Sequence, residues 1–329
     1  MTPFAYVRAR DADDALRAAA AAGSRYIAGG TNLVDLMKEG VERPAQLVDI
    51  NGLDLAEVSD TSGGGLRIGA LVRNADLAWH PSVQARYPLL SQALLAGASP
   101  QLRNAATTGG NMLQRTRCHY FYDLATPCNK REPKSGCSAV GGVTRIHAIL
   151  GASDDCVAVH PSDMCIALAA LDARVHVQTA KGALEIPFVD FHRLPGDTPE
   201  RDTRLPPGAL ITEVELPAEG FAAHHAYVKL RDRRSYAFAL VAVAAALTLD
   251  GDTIRAARIA LGGVAHKPWR RPEVEQAMVG RAANEATWAD AADALLEGAV
   301  AQSQNGFKIA LARRSIVRAL QRAAGQEPS

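Results

Sequence analysis

Residues 101–137 constrain this chain more than any other stretch, because they place a Gly109-Gly110-Asn111 turn directly upstream of three of its five cysteines. A glycine pair lets backbone approach a phosphate closely, and N–H groups left unpaired at a helix start can bind one. The cysteines bring a second chemistry, since thiolates are strong metal ligands. The stretch therefore predicts two cofactors held side by side.

The cysteine spacing is Cys118-x9-Cys128-x8-Cys137-x18-Cys156, with Cys165 after eight further residues. Five cysteines in 329 residues are too few for a disulfide scaffold, and their clustering favours a metal or cluster site. Zinc sites usually show a C-x2-C or C-x4-C knuckle, and none occurs here. Wide spacing broken by Pro127, Pro133 and Gly136 suits a looser wrap around an iron-sulfur cubane. Cys165 falls in 162–173, whose apolar spacing predicts a helix with Ser162 at its start, where a free cysteine is usually a small buried hydrophobe. The expected ligands are therefore Cys118, Cys128, Cys137 and Cys156; sets that include Cys165, and unrelated buried thiols, are the alternatives. His119 and His160 stand nearby, but four thiolates already complete a cluster, so both read as structural or solvent-facing.

A second glycine turn lies some 80 residues upstream. The strand, turn and helix pattern of residues 26–38 carries Gly29-Gly30-Thr31-Asn32, and Thr107-Thr108-Gly109-Gly110-Asn111 repeats the combination of hydroxyl, paired glycines and amide. Alone, either composes an ordinary turn; together they fit one long ligand gripped at two points. No Walker loop and no G-x-G-x-x-G is present.

Composition narrows the rest. With 36 basic against 35 acidic residues, no sequence-independent attraction to nucleic acid or anionic lipid is expected. The start of the chain lacks a secretory signal, and the most apolar run, 237–249, falls short of the roughly 20 residues that span a bilayer. That run reads as a buried strand. A strand at 4–7, helix at 11–22, strand at 24–28, helix at 33–38 and strand at 47–50 make a small α+β lobe. Further strands fall at 66–70, 174–178, 182–189 and 211–217, with a helix at 87–97 and an exposed, proline-rich loop at 195–208. Beyond residue 223, two apolar strands (237–249 and 253–261) precede helices at 272–280, 285–301 and 305–323, an α+β pattern with helices on one sheet face. The last helix is basic through Lys308, Arg313, Arg314, Arg318 and Arg322, which reads as a solvated face, and 325–329 as a frayed tail.

These motifs carry a resemblance. Ala28-Gly29-Gly30-Thr31-Asn32-Leu33, Arg103-Asn104-x3-Thr108-Gly109-Gly110-Asn111 and His160-Pro161-Ser162-Asp163 resemble the FAD-binding subunit of the molybdenum hydroxylases, the family of xanthine and carbon monoxide dehydrogenases. A finer similarity, to the FAD subunit of bacterial three-subunit periplasmic aldehyde oxidoreductases, rests on Gln114 to Cys118, Phe121-Tyr122-Asp123, Pro127 to Arg131 and Leu261 to Arg270.

That resemblance implies an α+β chain: a two-lobed FAD-binding domain over residues 1–222 (lobes 1–55 and 56–222, cysteine-rich insertion 112–156) and a smaller C-terminal domain over 223–325. It implies FAD and a [4Fe-4S] cluster as cofactors, the cluster serving as an electron relay or as a structural staple for the insertion. Residues Ile27, Ala28, Gly29, Gly30, Thr31, Asn32, Leu33 and Val34 would form the first pyrophosphate loop, and Thr107, Thr108, Gly109, Gly110 and Asn111 the second. Asp123 would meet the adenosine end, while Ile211 and Lys229 would contact the flavin, Lys229 favouring negative charge on its reduced form.

The implied role is electron transfer within a heterotrimeric oxidoreductase. A molybdenum cofactor-binding large subunit oxidises an aldehyde to its acid, a small [2Fe-2S] subunit passes electrons on, and this chain delivers them from FAD to an external acceptor. No catalytic residue is expected here, no nucleic-acid partner and no membrane insertion. The implied compartment is the periplasm, reached with a partner bearing a twin-arginine signal, the alternative being the cytoplasm. Two rival functions are a stand-alone flavin reductase of the cell-wall precursor type, which should carry its own substrate domain, and a metal-stapled assembly module without redox turnover.

Overall fold

The computed structural model describes residues 1–326 and folds them around three sheets. The first is parallel, with β1 (Ala5–Arg8), β2 (Ser24–Ile27) and β3 (Gln46–Asp49) in the order β1-β3-β2. The helix Ala12–Ala19 makes the first crossover; Asp11 starts it by accepting a hydrogen bond from the Asp14 N–H. The six-residue helix Leu33–Lys38 makes the second.

The second sheet is antiparallel: β4 (Val58–Asp60), β5 (Leu66–Gly69), β6 (Arg174–Thr179), β7 (Gly182–Pro187) and β8 (Leu210–Leu216), ordered β4-β5-β8-β6-β7. Between β5 and β6 the chain leaves the sheet for about a hundred residues, and this excursion holds the helices Pro88–Ala96 and Asp163–Ala170 with the cysteine insertion between them. The expected helices at 11–22, 87–97 and 162–173 thus form with shorter ends.

The third sheet comprises β9 (His225–Leu230), β10 (Val241–Asp250), β11 (Thr253–Gly262) and β12 (Trp269–Arg270), antiparallel in the order β12-β11-β10-β9. The strand read over residues 237–249 starts instead at Val241, and Phe238 is exposed in the segment before it. Its residues alternate between two cores. Val241, Val243, Ala245 and Leu247 face the helices Pro272–Met278, Glu285–Leu295 and Phe307–Ala323. Ala242, Ala244 and Ala246 face the opposite way, into the core built on Pro88–Ala96 and Asp163–Ala170. Alanine on this side permits close approach, and at Gly262 an added Cβ would sit 1.9 Å from Ile166 Cδ1. The sheet is therefore covered on both faces, not one, which is why the strand lacks polar alternation.

The basic C-terminal helix corrects a further expectation. Lys308 is fully buried rather than solvated, its Nζ donating to the carbonyls of His147 at 2.7 Å and Gly263 at 2.5 Å. The expected frayed tail is tied down at Gln326, whose amide accepts from Trp288 Nε1 and donates to Ala283 O; residues 327–329 of that tail lie outside the described residues. Among the described residues no helix is long and apolar enough to cross a membrane.

Candidate functional site

Two cavities of about 570 and 560 Å³ meet at the end of β2, where Thr31 and Asn32 line both. Strand β2 delivers the chain into Gly29-Gly30, and a side chain at Gly29 would collide with Ala105 O at 2.0 Å. Only glycine lets the two turns come this close. Gly30 adopts φ +70, the left-handed conformation that glycine favours. The backbone N–H groups of Gly30, Thr31 and Asn32 meet no backbone acceptor among the described residues, and Asn32 Nδ2 is buried without a partner. A group of unpaired donors beside a cavity suits an anionic ligand.

The second turn is built differently. Thr107 caps the short helix Thr108–Met112 by accepting from Gly110 N–H at 3.2 Å, while Thr108 and Gly109 N–H donate to Val72 O and Ala70 O. Its amides are already occupied, so its contribution is close backbone approach rather than free donors. Gly109 and Gly110 line the larger cavity, and Asn111 the other. Thr107 and Thr108 are buried beneath this turn and Val34 packs under Gly30, so these three support the walls without forming them.

Of the remaining expected positions, Ile27 to Leu33 and Ile211 line the larger cavity, and Lys229 lines the second. Lys229 is not a free cation: its Nζ donates to Asp163 Oδ2 at 2.7 Å and Ala96 O at 3.1 Å, leaving one of three N–H bonds for the cavity. Tyr227 OH donates to the other Asp163 oxygen at 2.7 Å. Asp123 is not brought to either cavity. It is exposed at the end of the short helix His119–Tyr122, and its carboxylate accepts locally from Ala125 N–H.

The cysteines divide as four and one. Cys118, Cys128, Cys137 and Cys156 line a single small cavity with Tyr120, Phe121 and Lys130. Cys165 lies in the separate core beneath the helix Asp163–Ala170, and burial pushes its thiol up to about 12. Cys128 and Cys137 face each other across an isolated antiparallel bridge, which brings two of the loosely spaced residues together. Four sulfurs around one zinc ion would stand about 3.8 Å apart, given a Zn–S bond of about 2.3 Å. Among the described residues the donor groups lying within 4.8 Å of one another are His160–Cys165–His192 and His176–Glu213–Glu215, and the four cysteines are not such a group. As a set the four sulfurs stand wider apart than the ligands of a single ion. Of the two histidines noted from sequence, His119 is exposed and His160 packs against His192, ring centroids 4.2 Å apart and planes tilted by 46°.

Between these cavities runs a network that sequence patterning gave no means to assemble. Arg115 donates to Glu42 at 2.7 Å and Asp202 at 2.8 Å, its N–H donates to Asn32 Oδ1 at 2.9 Å, and its guanidinium lies 4.8 Å from the Phe121 ring centre. Lys130 donates to Pro199 O at 2.7 Å and contacts Asp202 and His266. Burial pushes the Asp202 carboxyl upward, but the Lys130 and Arg115 charges outweigh it and hold it well below the usual range. The loop at 195–208, read from sequence as exposed and placed to cover the flavin or touch a partner, supplies a cavity wall, with Glu200 to Thr203 facing the larger cavity. The one hint in the sequence was the charge-rich run around Asp202.

Residues 2–219 match the family described as the FAD binding domain in molybdopterin dehydrogenase, and 225–323 the CO dehydrogenase flavoprotein C-terminal domain. The chain is 51% identical over 328 residues to the aldehyde oxidoreductase FAD-binding subunit PaoB of Escherichia coli, covering 99% of this chain and 100% of that one. It is 29% identical to the glyceraldehyde dehydrogenase medium chain of Sulfolobus acidocaldarius, over 86% of this chain and 83% of the other. Among solved structures, carbon monoxide dehydrogenase from Hydrogenophaga pseudoflava superposes with a TM-score of 0.77 at 25% identity, covering 100% of both chains. Quinoline 2-oxidoreductase from Pseudomonas putida gives 0.75 at 25% identity, over 99% and 98%.

Proposed function

The chain belongs to the molybdopterin dehydrogenase flavoproteins, and from that premise we propose that it is the electron-transfer subunit of a molybdenum-dependent aldehyde oxidoreductase, holding FAD and a [4Fe-4S] cluster. Bound FAD would supply exchange between two-electron and one-electron partners, and the cluster one-electron relay. Everything else is the work of the protein's own residues.

The observation that carries the reading is that the glycine turns and the four cysteines share a wall. Leu36 lines the larger cavity and also packs in the buried cluster that contains Cys118, Cys128 and Cys156. The Gly30 to Asn32 amides suit a pyrophosphate, and the Gly29–Ala105 contact holds the second turn against the first. Ile211 gives the larger cavity an apolar surface, while Lys229, paired with Asp163, lines the second cavity. Cys118, Cys128, Cys137 and Cys156 are the proposed iron ligands, with Phe121 excluding water from one side.

In the proposed assembly, aldehyde oxidation takes place on a molybdenum-binding large subunit and a small [2Fe-2S] subunit stands between it and this chain. An external acceptor removes the electrons. The periplasm is the proposed compartment, reached with a twin-arginine-bearing partner, and fractionation with and without that partner tests it.

The full chain as purified should show flavin bands over a broad iron–sulfur absorption, with about one FAD and about four irons per chain. A colourless, zinc-containing protein would sink the proposal.

A further inference from the structure

Cys118 has a side-chain partner outside the cysteine cavity that neither the glycine turns nor the ligand set accounts for. His147 is buried, and its Nε2 lies 3.1 Å from Cys118 Sγ. We propose that His147 donates an N–H···S hydrogen bond to Cys118 and thereby raises the reduction potential of the cluster, acting as a positioning residue. The inference rests on the [4Fe-4S] reading above.

An iron-bound thiolate offers only lone pairs, so the ring nitrogen facing it must carry the hydrogen. The other nitrogen, Nδ1, is buried and has no partner, which leaves the ring committed to the sulfur. Such a bond places positive charge density against sulfur, and reduction adds negative charge to the cluster. The bond is therefore stronger in the reduced state and favours it.

The ring is held there by the C-terminal domain. His147 N–H donates to Thr144 O at 2.9 Å, and His147 O accepts from Lys308 Nζ at 2.7 Å and Asn305 Nδ2 at 3.1 Å. Ala148 N–H donates to Val157 O at 2.8 Å. Backbone bonds on both sides thus aim the side chain. Its place also matters: a third cavity, of about 270 Å³, is lined by Cys118 and His147 together with Arg117, Asp163 and Phe238, which also line the second large cavity. Cys118 is the cysteine that faces both this space and the cysteine cavity. A hydrogen bond on this sulfur acts on the ligand that faces the space adjoining the second large cavity.

The test is a redox titration of the full chain followed by the paramagnetic signal of the reduced cluster, in wild type, His147→Ala and His147→Gln. With iron retained, His147→Ala should shift the reduction equilibrium about tenfold toward the oxidised form, a fall of about 59 mV for one electron, and His147→Gln, which keeps an N–H donor, should recover part of it. An unmoved midpoint with iron retained overturns the inference alone. Wild type without iron overturns the cluster reading and this inference with it. Should both variants lose iron, wild type labelled with 15N-histidine decides: a nitrogen coupled to the reduced cluster's electron spin supports the hydrogen bond, and its absence overturns it.

Discussion

Lys130, which is buried, and Asp202, which is half-buried, form an ion pair that ties the wall of the cysteine cavity to the wall of the larger cavity. Lys130 contributes from beside Cys128, and Asp202 from a loop some seventy residues later. Arg115 completes the network, so Asp202 balances two cations at once.

Replacing Asp202 by Asn leaves Lys130 and Arg115 without that balance and should cost about 1–3 kcal/mol of stability at neutral pH. The sign with pH follows from its lowered carboxyl. The unfolded carboxyl titrates near about 3.9, so the stabilisation is full above about pH 5 and is lost as pH falls below that value. Denaturant unfolding from pH 7 to pH 3 should show the gap between wild type and Asp202→Asn closing on acidification. A gap that stays constant would contradict the assignment.

At Gly29 an alanine methyl has nowhere to go, because the obstruction at 2.0 Å is a backbone carbonyl. Gly29→Ala should force the two turns apart, destabilise the fold by about 1–3 kcal/mol and leave purified protein largely free of flavin. Gly110→Ala meets only Thr107 Oγ1, at 2.9 Å, and should retain more flavin. Flavin content per chain ranks the two, and the reverse order would refute the argument.

Two cysteine variants separate ligation from packing. Cys128→Ser should lower iron sharply, whereas Cys165→Ser should keep iron but lose about 1–3 kcal/mol by placing a hydroxyl in an apolar core. Iron analysis beside thermal unfolding reads both. Full iron in Cys128→Ser would remove that residue from the ligand set.

Burial lowers the Lys308 ammonium to about 7 in the folded chain. An unfolded lysine titrates near about 10.4, so between these values the unfolded state binds the extra proton and stability rises with pH. Lys308→Met should flatten that rise and be less stable throughout, because the His147 and Gly263 carbonyls lose their donor. Thermal midpoints from pH 6 to pH 10 supply the comparison; an unchanged slope would rule out Lys308 as its source.

What the sequence made legible was local. Paired glycines flanked by Thr and Asn mark sharp turns wherever they occur, and the apolar spacing around Cys165 places that residue in a helix away from the other four cysteines. The α+β class followed from periodicity in the same way. Long-range pairing left no such trace. Nothing near Lys308 distinguishes it from the exposed arginines of its helix until the His147 and Gly263 carbonyls are seen above it. The role of Asp123 rests on resemblance alone, and the structure leaves its side chain exposed at a helix end, outside both large cavities. His147 sits in a glycine- and polar-rich segment with no periodicity of its own, so its neighbour could be found only in three dimensions.

The clamp on residues 147–150 also imposes an order in time. Ile149 and Leu150 N–H both donate to Val264 O, Val300 N–H donates to Ile149 O, and Lys308 closes over His147. A ribosome releases these anchoring residues more than a hundred positions after the segment they fix. Residues 147–150 therefore cannot take up their final bonds on the nascent chain until the last helix has emerged and docked, so a chain truncated before that helix leaves His147 without the donor that closes over its carbonyl.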